Sequence, residues 1–227
     1  MLKKQIKLKI KEEAGNSTVF IRPETYETSR LMKIAYAQAY RDLLSRGVDT
    51  KSSMLDALKE QGLWTEKHEN EITNLSLQVA MLESNLLKDN VDDTRQKELV
   101  IEISKLRRKM IDLINIKSEP LAYVAETIAE EIMQEKFLVA STFYENGKVY
   151  FKDYEDFKTR RYDANTEKIL ETFYRTLAEP STKMFLDFPE NKWLLKKGMM
   201  TKDGDLVDDE VKTEINVEEV NKEINGG

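Results

Sequence analysis

Two runs of aliphatic side chains in the middle of the chain mirror each other, and this limits the fold more tightly than any other feature. Ile72, Leu75, Val79, Leu82 and Leu86 follow at intervals of 3, 4, 3 and 4 residues, and Leu99, Ile103, Leu106, Met110 and Leu113 at 4, 3, 4 and 3. Each spacing is a heptad seam, which keeps an apolar stripe on one side of a helix. Pair by pair, from Ile72 with Leu113 to Leu86 with Leu99, the two seams are equidistant from a midpoint between Asp92 and Asp93. Helices folded back at that point would carry their seams at matching heights. Residues 66–88 hold four acids and two bases, whereas 95–117 hold seven bases and three acids. Opposite arms therefore attract, an effect that selects partner and direction more than it stabilises. An antiparallel coiled-coil arm over 63–117 follows, each limb about 35 Å long. Lys88 to Thr94 supply its turn, with an N-cap at Asp93 or Thr94. Whether the limbs pair within one chain or between two is left open by the sequence.

The flanking segments read as short helices and hairpins. Ile6, Leu8 and Ile10 alternate with Lys7, Lys9 and Lys11, the period of a half-exposed strand, and a turn at Ala14-Gly15-Asn16 leads to Thr18-Val19-Phe20-Ile21. Pro23 opens a helix in which Leu31, Ile34, Ala35, Ala39 and Leu43 form the apolar stripe before Gly47 stops it. A shorter helix, Thr50 to Gln61, ends at Gly62. Pro120 breaks the second limb and starts a helix with Leu121, Val124, Ala125, Ile128, Ile132 and Leu138 on one face. Asn146-Gly147 between Thr142-Phe143-Tyr144 and Val149-Tyr150-Phe151 is the strongest hairpin signal in the chain. Asp153 caps a short helix, and Asp163 or Asn165 caps another reaching Leu177. Pro180 and Pro189 punctuate a loop, after which Trp193 and Leu194 dock a last helix that Gly198 ends.

Charge and composition exclude many functions. The 227 residues contain no Cys and a single His, which removes disulfides, thiolate metal sites and cysteine nucleophiles. Residues 201–227 hold nine acids against three lysines, the whole net charge of −6, while 1–200 balance 33 acids with 33 bases. A nucleic-acid partner is disfavoured, since such binders carry a basic excess, and Arg160-Arg161-Tyr162 is too small a patch to change that. The longest apolar runs fall far short of the roughly 20 residues that cross a bilayer, and MLKKQIKLKIKEE lacks the continuous apolar stretch of a leader. A soluble chain is expected, with no membrane partner and no cofactor. No phosphate-cradling glycine motif, nucleophile elbow or His-Glu-x-x-His occurs. Glutamates four apart, at 126, 130, 131 and 135, lack the further ligands a cation needs. His68 has no triad-like partner and is read as a solvated or packed residue at the base of the arm, level with Lys117. A non-enzymatic role follows, with no catalytic, cofactor or metal residues.

The predicted fold is mainly α. Residues 1–62 and 118–200 form a helical body with two small β-hairpins, 63–117 a protruding antiparallel coiled-coil arm, and 201–227 a disordered acidic tail. Two groups are candidate partner-binding residues. Lys7, Lys9 and Lys11 form a cationic row suited to an acidic partner, this chain's own tail included, or a solvated face that resists edge pairing. Asp89, Asp92 and Asp93 form an acidic tip, although Asp is also ordinary turn chemistry.

Several segments carry a family likeness. Ile21-Arg22-Pro23-Glu24-Thr25-Tyr26-Glu27, Lys59-Glu60-Gln61-Gly62-Leu63-Trp64 ahead of the coil, Tyr150-Phe151-Lys152-Asp153-Tyr154-Glu155-Asp156-Phe157 and Pro189-Glu190-Asn191-Lys192-Trp193-Leu194, followed by Lys202-Asp203-Gly204-Asp205-Leu206-Val207-Asp208, resemble coil-containing virion and tail-assembly proteins of contractile-tailed bacteriophages. The resemblance spans most of the chain. It implies a virion or tail-assembly setting. Joined to the mirrored seams and the segregated charge, it leads to the expectation of an adaptor or tail-assembly chaperone whose partner is a phage tail or virion polypeptide, in the host cytoplasm or on the virion, with self-association left open. A second likeness, of the acidic tip to transcript-cleavage factors of the Gre type, implies a phage regulator that inserts the coil into a host enzyme such as RNA polymerase.

Overall fold

A computed structural model describes residues 2–12, 15–88, 91–213 and 215. The chain is 67% helical with one small antiparallel sheet, and so belongs to the mainly-α class. It divides into two compact units, Met1–Met54 with Pro120–Glu179 and Leu55–Glu119 with Pro180–Gly227.

The first unit joins a sheet to a helical layer. Strands β1 (Ile6–Glu12) and β2 (Gly15–Ile21) pair antiparallel with Leu8 opposite Val19, and β3 (Thr142–Tyr144) adds to the far side of β2 with Tyr144 opposite Val19. The two expected hairpins therefore share one three-stranded sheet in the order β1-β2-β3. The second hairpin keeps its turn, with Gly147 at φ 82° and the Tyr144 N–H on the Lys148 carbonyl, but its return limb is only a bridge at Val149. Tyr150 and Phe151 explain why. Both are buried in the core, and consecutive strand residues cannot face the same side.

Helix α1 (Tyr26–Ser45) begins with a Thr25–Thr28 capping box and lies along α5 (Ala125–Ser141). Its buried residues are Met32, Ala35 and Ala39, the two alanines being small enough to allow close approach, while Leu31 and Ile34 of the expected stripe stay exposed. That apolar stripe is wider than its cover. Helix α2 (Lys51–Glu60) has Thr50 accepting the Ser53 N–H at its start and Gly62 at φ 71° beyond its end. Asp153 caps α6 (Tyr154–Thr159), as its spacing predicts. Phe137, Leu138, Phe151, Phe157, Ile169 and Phe173 complete the core under β1 and β2.

The second unit contains the mirrored seams on α3 (Glu66–Leu86) and α4 (Asp93–Leu121). None of the ten seam residues is exposed. Glu83 pairs with Arg107, Glu71 with Lys109 at 2.9 Å and Glu69 with Lys117 at 2.9 Å, so α3 descends as α4 ascends. Helix α8 (Pro189–Lys196), with Pro at its start, residues 199–213 and Ile215 close over the end of the pair nearer the turn. Leu194, Met200, Val211 and Ile215 share one apolar cluster with Val79, Leu86, Leu99 and Ile103.

Two prolines behave differently from expectation. Pro120 lies in the last turn of α4, and the break falls at residues 122–124. Pro180 lies inside α7 (Ala164–Leu186), which runs on well past Leu177 instead of giving way to a loop. In both places the ring removes one backbone donor and the remaining ladder carries the helix onward. Chain order also extends past residue 200, where the charge count predicts a disordered tail. Met200 bridges Leu206, Asp209–Thr213 is helical, and Val211 is fully buried because the Val211–Ile215 spacing presents two aliphatics to the seam.

Candidate interaction site

The acidic tip is engaged by its own chain. The Asp92 carboxylate accepts the Arg95 N–H at 3.0 Å and its carbonyl accepts from Gln96, so Asp92 is the residue that starts α4, one position before the expected cap. The Asp93 carboxylate takes the Lys197 ammonium at 2.6 Å. Asp89 lies outside the described residues. Asp92 and Asp93 thus do the work of a turn and of a contact with the end of α8.

On β1, the Lys7, Lys9 and Lys11 side chains are exposed, as their alternation predicts. The strand is an edge, yet its backbone is occupied. Asn165 accepts the Lys11 N–H at 3.2 Å and donates to the Lys11 carbonyl at 2.7 Å, copying one rung of a ladder, and Lys168 donates to the Lys9 carbonyl at 2.8 Å. Lys7 also lies 5.5 Å from the centre of the Phe20 ring. The edge is thereby blunted against adding another strand.

The other singled-out groups are structural. His68 Nδ1 accepts the Thr65 N–H at 3.0 Å, closing the cap of α3, and its ring stacks on Trp64 at 5.3 Å. Lys117 lies 4.9 Å from the centre of the same indole, so the two residues predicted at one level both pack on Trp64. Trp64 donates to Glu69, whose carboxyl is held below its ordinary range by hydrogen bonds from Lys117 first and Trp64 second. Glu126 accepts the Lys51 N–H at the start of α2, and Glu135 accepts from Tyr154 and pairs with Arg161 at 3.3 Å. Arg160 lies 4.5 Å from the Tyr150 ring and 3.6 Å from both Asp156 and Asp163, so little of the basic triplet stays unengaged. Among the described residues no three metal-ligating side chains gather, and no helix is long and apolar enough to cross a membrane.

One cluster has no signature in the sequence. Arg107 on α4 holds Glu83 of α3 with one nitrogen and Glu190 of α8 with another, and its guanidinium lies 3.9 Å from the centre of the Phe188 ring. Glu190 is 1% exposed and its second carboxylate oxygen has no hydrogen-bond partner in the structure. Burial pushes its carboxyl up, against the opposing pull of the backbone at the start of α8 and of Arg107. Two carboxylates on one guanidinium join three helices within this unit.

A second ionic contact brings the acidic C-terminal segment onto α4, where Lys97 meets Glu210 at 2.7 Å beside the buried Val211. Taken together, these contacts describe a helical pair clasped by its own C-terminal segment. No protein-family model matches the chain, and neither the curated proteins nor the solved structures compared with it include a match.

Proposed function

We propose that the chain is a non-catalytic structural or assembly protein of a contractile-tailed bacteriophage, acting as an adaptor or tail-assembly chaperone through protein–protein contacts. The observation that carries this reading is the clasp on α4. The more basic limb of the pair is met by the chain's own acidic segment through Lys97–Glu210, with Val211 and Ile215 in the seam's apolar cluster. An acidic segment held this way screens basic residues until a partner's basic surface draws it off, a competition suited to an assembly factor that must release. Ion pairs of this exposed kind contribute only about 0–1 kcal/mol each, so the burial of Val211 and Ile215 is the larger part of what a competing partner must replace.

The test is proximity cross-linking during infection, read by mass spectrometry. A tail or virion polypeptide as the principal neighbour is the expected result, and its absence from repeated captures overturns the proposal. No observation favours the regulator reading, since the tip carboxylates Asp92 and Asp93 are both bound within the chain.

A further inference from the structure

The α3 stretch Ile72–Leu87 carries one charged residue in sixteen, Glu83, and that one is bound to Arg107. At the chain's average of 34% charged, a run of this length would hold about five. Burial does not account for the depletion. Opposite the seam residues Leu75 and Val79 stand Leu77 and Met81, which are 61% and 69% exposed, with neutral Asn74 and Ser84 exposed beyond them on the same side. Exposed apolar side chains within a charge-free surface match the centre of a protein interface. Other exposed aliphatics differ here, since Leu31 and Ile34 flank Lys33, and Ile111, Ile114 and Ile116 are interleaved with Asp112 and Lys117.

We infer that this outward face of α3 is a self-association surface, on which a second copy of the chain docks antiparallel about a two-fold axis at residue 79. The charge pattern selects the occupant. A face without charge offers nothing to a charged partner and strands no charge when buried against itself. The order of side chains also reads alike in both directions from Val79: Leu77 and Met81 at two residues, Asn74 and Ser84 at five. A two-fold axis at this height sets position 79−k of one copy against 79+k of the other, so apolar meets apolar and polar meets polar, each pair forming twice. Leu77 then packs on Met81 of the second copy, with Asn74 and Ser84 hydrogen-bonding on either flank. The charge-depleted part of α3, Ile72–Leu86, spans about 22 Å and a helix face is about 10 Å wide, a footprint on the order of 200 Å². Stable interfaces bury about 800 Å² per partner, so the dimer is a weak and reversible one. The inference is independent of the phage reading.

Sedimentation of the full chain from about 1 to about 300 µM tests it, the range in which weak association is populated. The wild type should dimerise with concentration. Leu77→Lys alone and Met81→Glu alone should each weaken the dimer at least about tenfold, since like charges then face across the axis or a charge meets an apolar side chain. Combining both substitutions in one chain should restore the dimer, because antiparallel docking sets each new lysine against a new glutamate twice. Tryptophan fluorescence unfolding confirms that the variants fold, and Leu77→Gln and Met81→Gln replace any that do not. A wild type that stays monomeric throughout overturns the inference, as does a dimer indifferent to the single substitutions. A combined variant that remains monomeric overturns the antiparallel register.

Discussion

Removing the Arg107 guanidinium should destabilise the second unit by an amount that depends on pH in a calculable way. Arg107→Met keeps the length of the side chain and a contact for Phe188 but leaves Glu190, 1% exposed, without a cation. Breaking a buried ion pair from one side costs about 3–5 kcal/mol. The stranded carboxyl escapes by taking a proton, and this sets a ceiling. For an unfolded-state value near 4.3, protonation costs about 3.7 kcal/mol at pH 7 and about 1 kcal/mol at pH 5, at 1.36 kcal/mol per unit. The loss should therefore shrink by up to about 2.7 kcal/mol between pH 7 and pH 5, less what the wild type itself gains there from its own raised Glu190 carboxyl. Adding Glu190→Gln removes the stranded charge and should recover most of the loss at pH 7. Urea unfolding followed by tryptophan emission is the assay, because Trp64 and Trp193 are the only tryptophans and both lie in this unit. Equal losses at the two pH values, or a double variant as unstable as the single one, would refute the reasoning.

The wild-type cluster has its own sign. Burial raises the Glu190 carboxyl in the native state, so the folded chain binds its proton more readily than the unfolded chain. This residue's contribution to stability accordingly declines as pH rises from the unfolded value up through the raised native one, and Glu190→Gln should flatten that slope in unfolding measured between those limits. In the first unit, burial and then the hydrogen bond to Glu12 push Tyr144 up to about 12, so absorbance titration should show a phenol ionising there that Tyr144→Phe removes. Ser17 first and Tyr144 second hold Glu12 below its ordinary range, so the same variant should move the Glu12 carboxyl upward by NMR and reduce the stability lost as acid protonates it. Asn165→Ala should cost about 1–2 kcal/mol through two lost backbone contacts and raise aggregation by light scattering as the β1 edge opens. Ile103→Ala, at a fully buried seam position, should cost about 2–5 kcal/mol in the same urea assay, whereas Leu77→Ala should be close to neutral in the monomer.

The parts of the fold legible in the sequence are those set by local periodicity. Both seams, the Asp153 cap, the Asn146-Gly147 turn and the Ile6–Lys11 alternation all depend on neighbours within a few residues, and each appears where its spacing places it. The misreadings come from tertiary context. Pro180 reads as a helix stop because a lone helix loses a hydrogen bond there, yet α7 continues through it. Leu31 and Ile34 fit a helical stripe, but no partner in the fold covers them. Val211 and Ile215 sit among acids that suggest a free tail, and only the seam opposite reveals why they are buried. Of the candidate site, the exposure of Lys7, Lys9 and Lys11 was readable, while the rung that Asn165 adds came from 154 residues away. Nothing local marks Glu190. An acid after a helix-opening proline is commonplace, and its importance arises only when Arg107 arrives from another helix.

Neither unit is contiguous along the chain, and this has a consequence during synthesis. The limbs of the helical pair leave the ribosome with Leu99 and Ile103 made, while Leu194, which caps them, is about 90 residues behind. At about 5–20 residues per second the delay is roughly 5–18 s, far longer than a helix takes to form. For that interval the nascent pair offers a greasy flank to anything nearby, which makes the moment of translation the one at which a folding factor, or a neighbouring nascent copy, has its best opportunity to bind.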